Sequence, residues 1–252
     1  MFKNKKGQVT IFIILALAIL VIVFLLFRGG SFMQIISGKS PITQIQDCVE
    51  EAVGESVDIL SLQGGSLNPQ FYFEYKGDKI DYLCYTEEYY KTCVMQKPLL
   101  RASIEREIGD YIDDKVKSCV DSVVADLKRD GYEVSFSEIE NSVDLVPGNI
   151  FVDTKSDLTI TKDTTESYKT IKTGINSKLY EMIMIASSIA NWEARYGDSE
   201  TMNYMIFYPS MKGEKKKQGD GTTIYILTDR VSLNKFQFAS RSLVLPAGFS
   251  GG

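Results

Sequence analysis

The longest apolar run is residues 9–27, in which Thr10 is the only polar side chain. As a helix, this block is about 28 Å long, enough to cross the hydrocarbon core of a bilayer. After residue 40 the pattern changes to stripes. Ile42, Ile45, Val49, Ala52, Val53, Val57 and Leu60 recur at steps of three and four, which predicts an amphipathic helix opened by Ser40-Pro41 and stopped by Gln63-Gly64-Gly65. FYFEY and IDYLCY around Lys76-Gly77-Asp78 read as a β-hairpin. A second helix is expected over 98–128, carrying Leu100, Ile104, Ile108, Ile112, Val116, Val120, Val123 and Leu127 on one side and ending at Asp130-Gly131.

Beyond Gly131 the texture turns to short alternating segments, YEVSF, NIFVDT, DLTITKD and YKTIKTGI, which predict a sheet. A third helix is expected over 175–196 with Asn176 as its N-cap, Leu179, Ile183, Ala186, Ile189, Ala190 and Trp192 on its apolar side, and Met182 and Met184 filling gaps in packing. Strands YMIFYP and TTIYILT then flank MKGEKKKQGDG, which places Lys212, Lys215, Lys216 and Lys217 in a hairpin tip, a solvated turn or a contact loop for acidic surfaces or lipid headgroups. The last strand is KFQFASRSLVL.

The resulting expectation is an α+β protein. One N-terminal transmembrane helix is followed by an extracellular domain with a helix pair, an antiparallel sheet and a third helix. Residues 1–8 form a cytoplasmic leader, 9–27 the spanning or assembly helix, 28–40 a linker, 41–131 a helix–hairpin–helix subdomain, and 132–252 a subdomain of sheet and helix.

Charge sets the orientation. Lys3, Lys5 and Lys6 precede the apolar block and only Arg28 closely follows it, so the N-terminus stays in the cytoplasm and the chain beyond Arg28 lies outside. The block ends in bulky Phe24, Leu25, Leu26 and Phe27 rather than in small residues, which argues against cleavage at that end. Leaving out the four basic residues of the first 28 lowers the formal charge from −5 to −9. So acidic a segment is repelled by phosphate backbones, and no nucleic-acid partner is expected. A single threonine inside the block suggests no ion path or proton relay.

Cys48, Cys84, Cys93 and Cys119 are even in number, lack Cys-x-x-Cys spacing and occur in a chain without histidine, which favours disulfides over metal. Three pairings are open. Cys84–Cys93 across the loop YTEEYYKT and Cys48–Cys119 across a helix seam are the favoured set, against a reading of four reduced, buried thiols. Glu105, Glu107, Asp110, Asp113 and Asp114 read as a solvated helix face. Without histidine, Walker A or GxGxxG, no catalytic residue, metal or cofactor is assigned, and the chain is expected not to be an enzyme. A membrane-tethered hydrolase is the lower alternative.

Lys5-Lys6-Gly7-Gln8 before the apolar block resembles the class III signal of archaeal type IV pilins and archaellins. The resemblance covers the first tenth of the chain. It implies cleavage between Gly7 and Gln8 by a prepilin peptidase, and a retained helix whose Val9, Phe12, Leu15, Leu17, Leu20, Phe24 and Phe27 contact lipid or neighbouring copies in a filament. Where many such leaders carry glutamate soon after the cut, this chain has Thr10, Ile11 and Phe12. The whole chain is also similar to single-pass surface proteins of small-genome archaea, through KKGQVTIFIIL, the Leu-Gln-Gly-Gly turn at 62–65 and the Phe-Gln-Phe-Ala-x-Arg segment at 236–241. That likeness implies no activity. The expected roles are a pilin-like surface subunit with an adhesive or scaffolding ectodomain or, alternatively, a lone anchored ectodomain that binds a surface protein or glycan.

Overall fold

The structure, a computed structural model, describes residues 40–244. The expected leader, the Gly7/Gln8 cut, the 9–27 helix and nearly all of the linker lie outside them. Among the described residues, no helix is long and apolar enough to cross a membrane.

The two long helices form where their stripes predict. Helix α1 (Pro41–Leu62) buries Ile45, Cys48, Val49, Ala52, Val53 and Leu60. Its end is set by backbone geometry: Gly64 and Gly65 have φ of 72° and 80°, and a Cβ on Gly64 would stand 2.9 Å from the Asp81 carbonyl oxygen. Only glycine combines that conformation with that approach. The hairpin β1 (Tyr72–Tyr75) and β2 (Asp78–Tyr85) turns at Lys76-Gly77, and β3 (Val94–Met95) pairs with the far end of β2. Helix α2 (Leu100–Arg129) follows, with Ile104, Ile108, Ile112 and Val116 fully buried along one line. Cys48 contacts Cys119, Glu55 contacts Tyr111 and Lys115, and Ser66 contacts Glu107, so the helices run antiparallel.

The remaining strands are β4 (Glu133–Ser135), β5 (Glu140–Val146), β6 (Asn149–Thr161) and β7 (Thr165–Asn176). Helices α3 (Leu179–Tyr196) and α4 (Thr201–Phe207) come next, then β8 (Met211–Lys217), β9 (Thr222–Asp229) and β10 (Lys235–Arg241). Two sheets result. In the first the order is β1-β2-β10-β9-β8, with β3 also on β2. In the second, β6 is flanked by β7 along its length and by β5 and then β4 on its other edge. One continuous core joins α1, α2, α3 and both sheets. A small cluster of Ile80, Tyr82, Ile224 and Ala239 lies on the opposite face of the first sheet.

The α+β class is as expected, but five details differ. The first sheet is mixed, because β10 pairs parallel with β2. That pairing also crosses the expected 131/132 boundary, and the chain from Pro41 onward forms one compact unit rather than two subdomains. NIFVDT and DLTITKD are halves of the single strand β6, with a register irregularity between Lys155 and Leu158. The third helix starts at Leu179, because Ile175 and Asn176 are still paired to Ile150 and Asn149 and the Ser177 hydroxyl accepts from the Leu179 amide at 3.2 Å. Finally, most of YMIFYP is helical. The Glu200 carboxylate caps α4 by accepting from the Met202 amide at 3.1 Å, and Tyr204 bonds Ser188 of α3 at 2.8 Å, so tertiary contacts override the strand preference of these residues.

Part of the acidic face of α2 is structural rather than merely solvated. Glu105 accepts from the Leu145 amide at 2.9 Å and Glu107 from the Leu67 amide at 3.0 Å, tying β5 and the loop after α1 to the helix. Near the same junction, Lys97 lies 2.5 Å from the buried carboxylate of Asp81. Burial raises the Asp81 pKa, and Lys97 opposes the shift. Lys97→Met therefore strands a buried charge and costs about 3 kcal/mol at neutral pH. The loss shrinks on acidification as Asp81 takes up a proton, which urea unfolding across pH measures.

Candidate interaction surface

All four cysteines pair as favoured. Cys48–Cys119 staples α1 to α2 with Cα atoms 6.1 Å apart, and Cys84–Cys93 closes the tyrosine loop with Cα atoms 5.3 Å apart. The described chain has no free thiol.

Loop 86–92, closed by the second disulfide, is pinned to the segment at and beyond the end of β10. The Thr86 amide donates to the Arg241 carbonyl at 3.0 Å, the Tyr90 amide to the Leu243 carbonyl at 2.6 Å, and the Leu243 amide to the Lys91 carbonyl at 3.1 Å. Tyr90 is 72% exposed and has a φ of 62°, a conformation rare for an aromatic residue that these bonds enforce. Tyr89 beside it is also exposed.

Next to the loop, the rings of Phe71, Tyr82 and Tyr85 lie 4.5–5.0 Å apart. The Arg241 guanidinium sits 5.5 Å from the Tyr85 ring centre and donates to the carbonyls of Thr86 at 3.0 Å and Asp220 at 2.9 Å. Tyr82 and Thr222 share a hydroxyl bond of 2.9 Å, and Thr222 donates to the Asp220 carboxylate at 2.8 Å. Burial raises the Tyr82 phenol pKa. The result is an aromatic end of the first sheet with Glu87, Glu88, Lys91 and Arg241 within or beside it. Flat rings beside fixed polar groups suit contact with a sugar ring or a polypeptide.

The predicted lysine tip is a strand. Lys212, Lys215, Lys216 and Lys217 all belong to β8, and the turn falls at 218–221. Alternation sends Lys212 and Lys216 to one face, where both engage Glu214 at 2.9 and 3.2 Å and hold its carboxyl below its ordinary range. Lys215 points to the other face and reaches the Asp198 carboxylate and the Ser199 carbonyl. Lys217 is exposed at the strand end. Among the described strands, β8 pairs only with β9, and lysines on an edge strand discourage pairing with a foreign chain.

Glu193 and Tyr225 form an acid–phenol contact that sequence reasoning missed. Burial raises the pKa of Glu193, and burial followed by the Glu193 charge pushes that of Tyr225 far up. At 2% and 0% exposure the pair is sealed from substrate, so its role is architectural. Among the described residues, no group of three or more His, Cys, Asp or Glu is placed to hold a metal ion. An open groove of about 490 Å³ runs along α3 past Met184, Ser188, Trp192 and Tyr196. No family model, curated protein or solved structure matches the chain.

Proposed function

We propose that the chain is a cell-surface structural protein whose N-terminal helix joins a pilin-like assembly or the membrane, and whose folded domain serves adhesion or scaffolding outside the cell. The observation that carries the reading is that every cysteine is paired in a domain that follows a run of bilayer-spanning length, with the basic residues concentrated on that run's N-terminal side. Lipid and further copies of the chain are the partners of residues 9–27. Other surface proteins or glycans are the partners of the disulfide-closed tyrosine loop. Mass spectrometry of the native N-terminus tests the assembly: loss of the first seven residues, together with filaments in sheared surface fractions under electron microscopy, is the expected result. An intact Met1 without filaments supports the second reading, a lone single-pass anchor. That reading is favoured by the exposed apolar side chains Phe207, Val231 and Leu233 at the end of the first sheet opposite the tyrosine loop.

A further inference from the structure

Two connections meet at that end, where β8 begins, β9 stops and β10 starts: the α4–β8 link and the turn 230–234. They are joined by a bond from the Arg230 amide to the Ser210 carbonyl at 2.8 Å. The end of α4 and the turn display Phe207 at 80% exposure, Val231 at 85% and Leu233 at 70%, while Ile206 and Tyr208 are also exposed. Single exposed apolar residues are ordinary, but several at the tips of two adjoining connections are not.

The turn is rigid. The Leu233 amide donates to the Asp229 carbonyl at 2.9 Å, and the Asp229 amide to the Asn234 carbonyl at 2.9 Å. The Asp229 carboxylate is occupied by the Ser232 amide at 2.8 Å and the Ser232 hydroxyl at 2.7 Å, and these bonds hold its pKa down. Together they keep Leu233 at a φ of 63°, a strained conformation for a branched side chain, with its apolar surface turned outward.

Arg230 and Lys235, both exposed, bracket the turn, while Lys212 lies opposite Thr228 on β8 and is paired with Glu214. Asp58 shares the recess behind Leu233 with Lys235, and the acid of the turn itself is bonded inward. A segment with a formal charge of −9 thus places cations around its protruding apolar tips. Projecting apolar side chains flanked by two exposed cations match the layered chemistry of a lipid interface better than a flat protein contact.

We infer that this end of the first sheet docks into an anionic lipid headgroup layer, with Phe207, Val231 and Leu233 inserted and Arg230 and Lys235 at the phosphates. The inference rests on the reading that residues 9–27 hold the chain at a membrane. It deepens that reading by directing the tyrosine loop, at the other end of the same sheet, away from the bilayer.

All native cysteines are paired, so Leu233→Cys or Val231→Cys provides a unique thiol for an environment-sensitive fluorophore on the full chain. The labelled protein is reconstituted into phosphatidylcholine vesicles with and without phosphatidylglycerol, and doxyl-lipid quenching is read alongside flotation. Several-fold stronger quenching at 231 and 233 than at a Tyr90→Cys control, dependent on phosphatidylglycerol and weakened by salt, is the expected result. Aqueous behaviour at 231 and 233 in vesicles that float overturns the docking and leaves the anchor standing. Failure to float refutes the anchor and the docking with it. Shielding in detergent that grows with protein concentration, without lipid quenching, assigns the surface to a second copy and overturns the proposal.

Discussion

Replacing Cys48 and Cys119 together by serine lowers the unfolding free energy by about 4 kcal/mol, whereas the same change at Cys84 and Cys93 costs about 2.5 kcal/mol. The difference follows from loop length. The first bridge closes a separation of 71 residues and the second a separation of nine, and the chain entropy removed from the unfolded state grows with the logarithm of that number. A loss of about 4 kcal/mol is a large part of the 5–15 kcal/mol typical of whole domains. Denaturant unfolding of the two double variants ranks them, with dithiothreitol-treated wild type as the companion. A larger loss from the short bridge would show that the loop's backbone pinning, not chain entropy, controls the result.

The second large effect is expected at Glu193. In Glu193→Ala, the Tyr225 hydroxyl keeps only the Ser199 carbonyl at 3.5 Å, and a cavity opens between α3 and the sheet, at a combined cost of about 3 kcal/mol. Glu193→Gln retains a hydrogen-bonding group without the buried charge. Because burial raises the carboxyl pKa in the folded protein, its contribution to stability is fully present below the ordinary value of 4.5 and is lost as pH rises through the raised one. The glutamine variant therefore gains on wild type as pH is taken from about 4 to about 8. Parallel stability curves for the two proteins over that range would mean that Glu193 is not the titrating group.

Legibility from sequence follows physical scale. The long helices are readable because α2 alone repeats its buried position at Leu100, Ile104, Ile108, Ile112, Val116 and Val120, a signal that no local accident imitates. The disulfides are readable because one pair brackets a short loop and the other falls on two facing stripes. Strand β5 leaves almost no trace: of ENSVDLV only Leu145 is fully buried, and its register depends on β6 and on Glu105 of α2. The reverse holds for 204–207, where strand-favouring side chains are held in a helix by the Glu200 cap and the Ser188 contact. The tyrosine loop announces itself by composition. Its companions Phe71, Asp220 and Arg241 do not, since Arg241 meets Tyr85 across a separation of 156 residues. At Val231 and Leu233 the pattern carries no signal at all, because exposure is decided by where the turn lands.

The position of β10 bears on how such a chain matures. Residues 235–241 supply the strand between β2 and β9 and the core rings of Phe236 and Phe238, yet they are synthesised after every other described element. Until they arrive, the first sheet lacks its middle, and contacts of such long range form slowly. On the proposed surface location, this ordering suits export. In that setting Cys48, Cys84, Cys93 and Cys119 would reach an oxidising milieu ahead of residues 235–241, and the first sheet would close only once that strand had followed them.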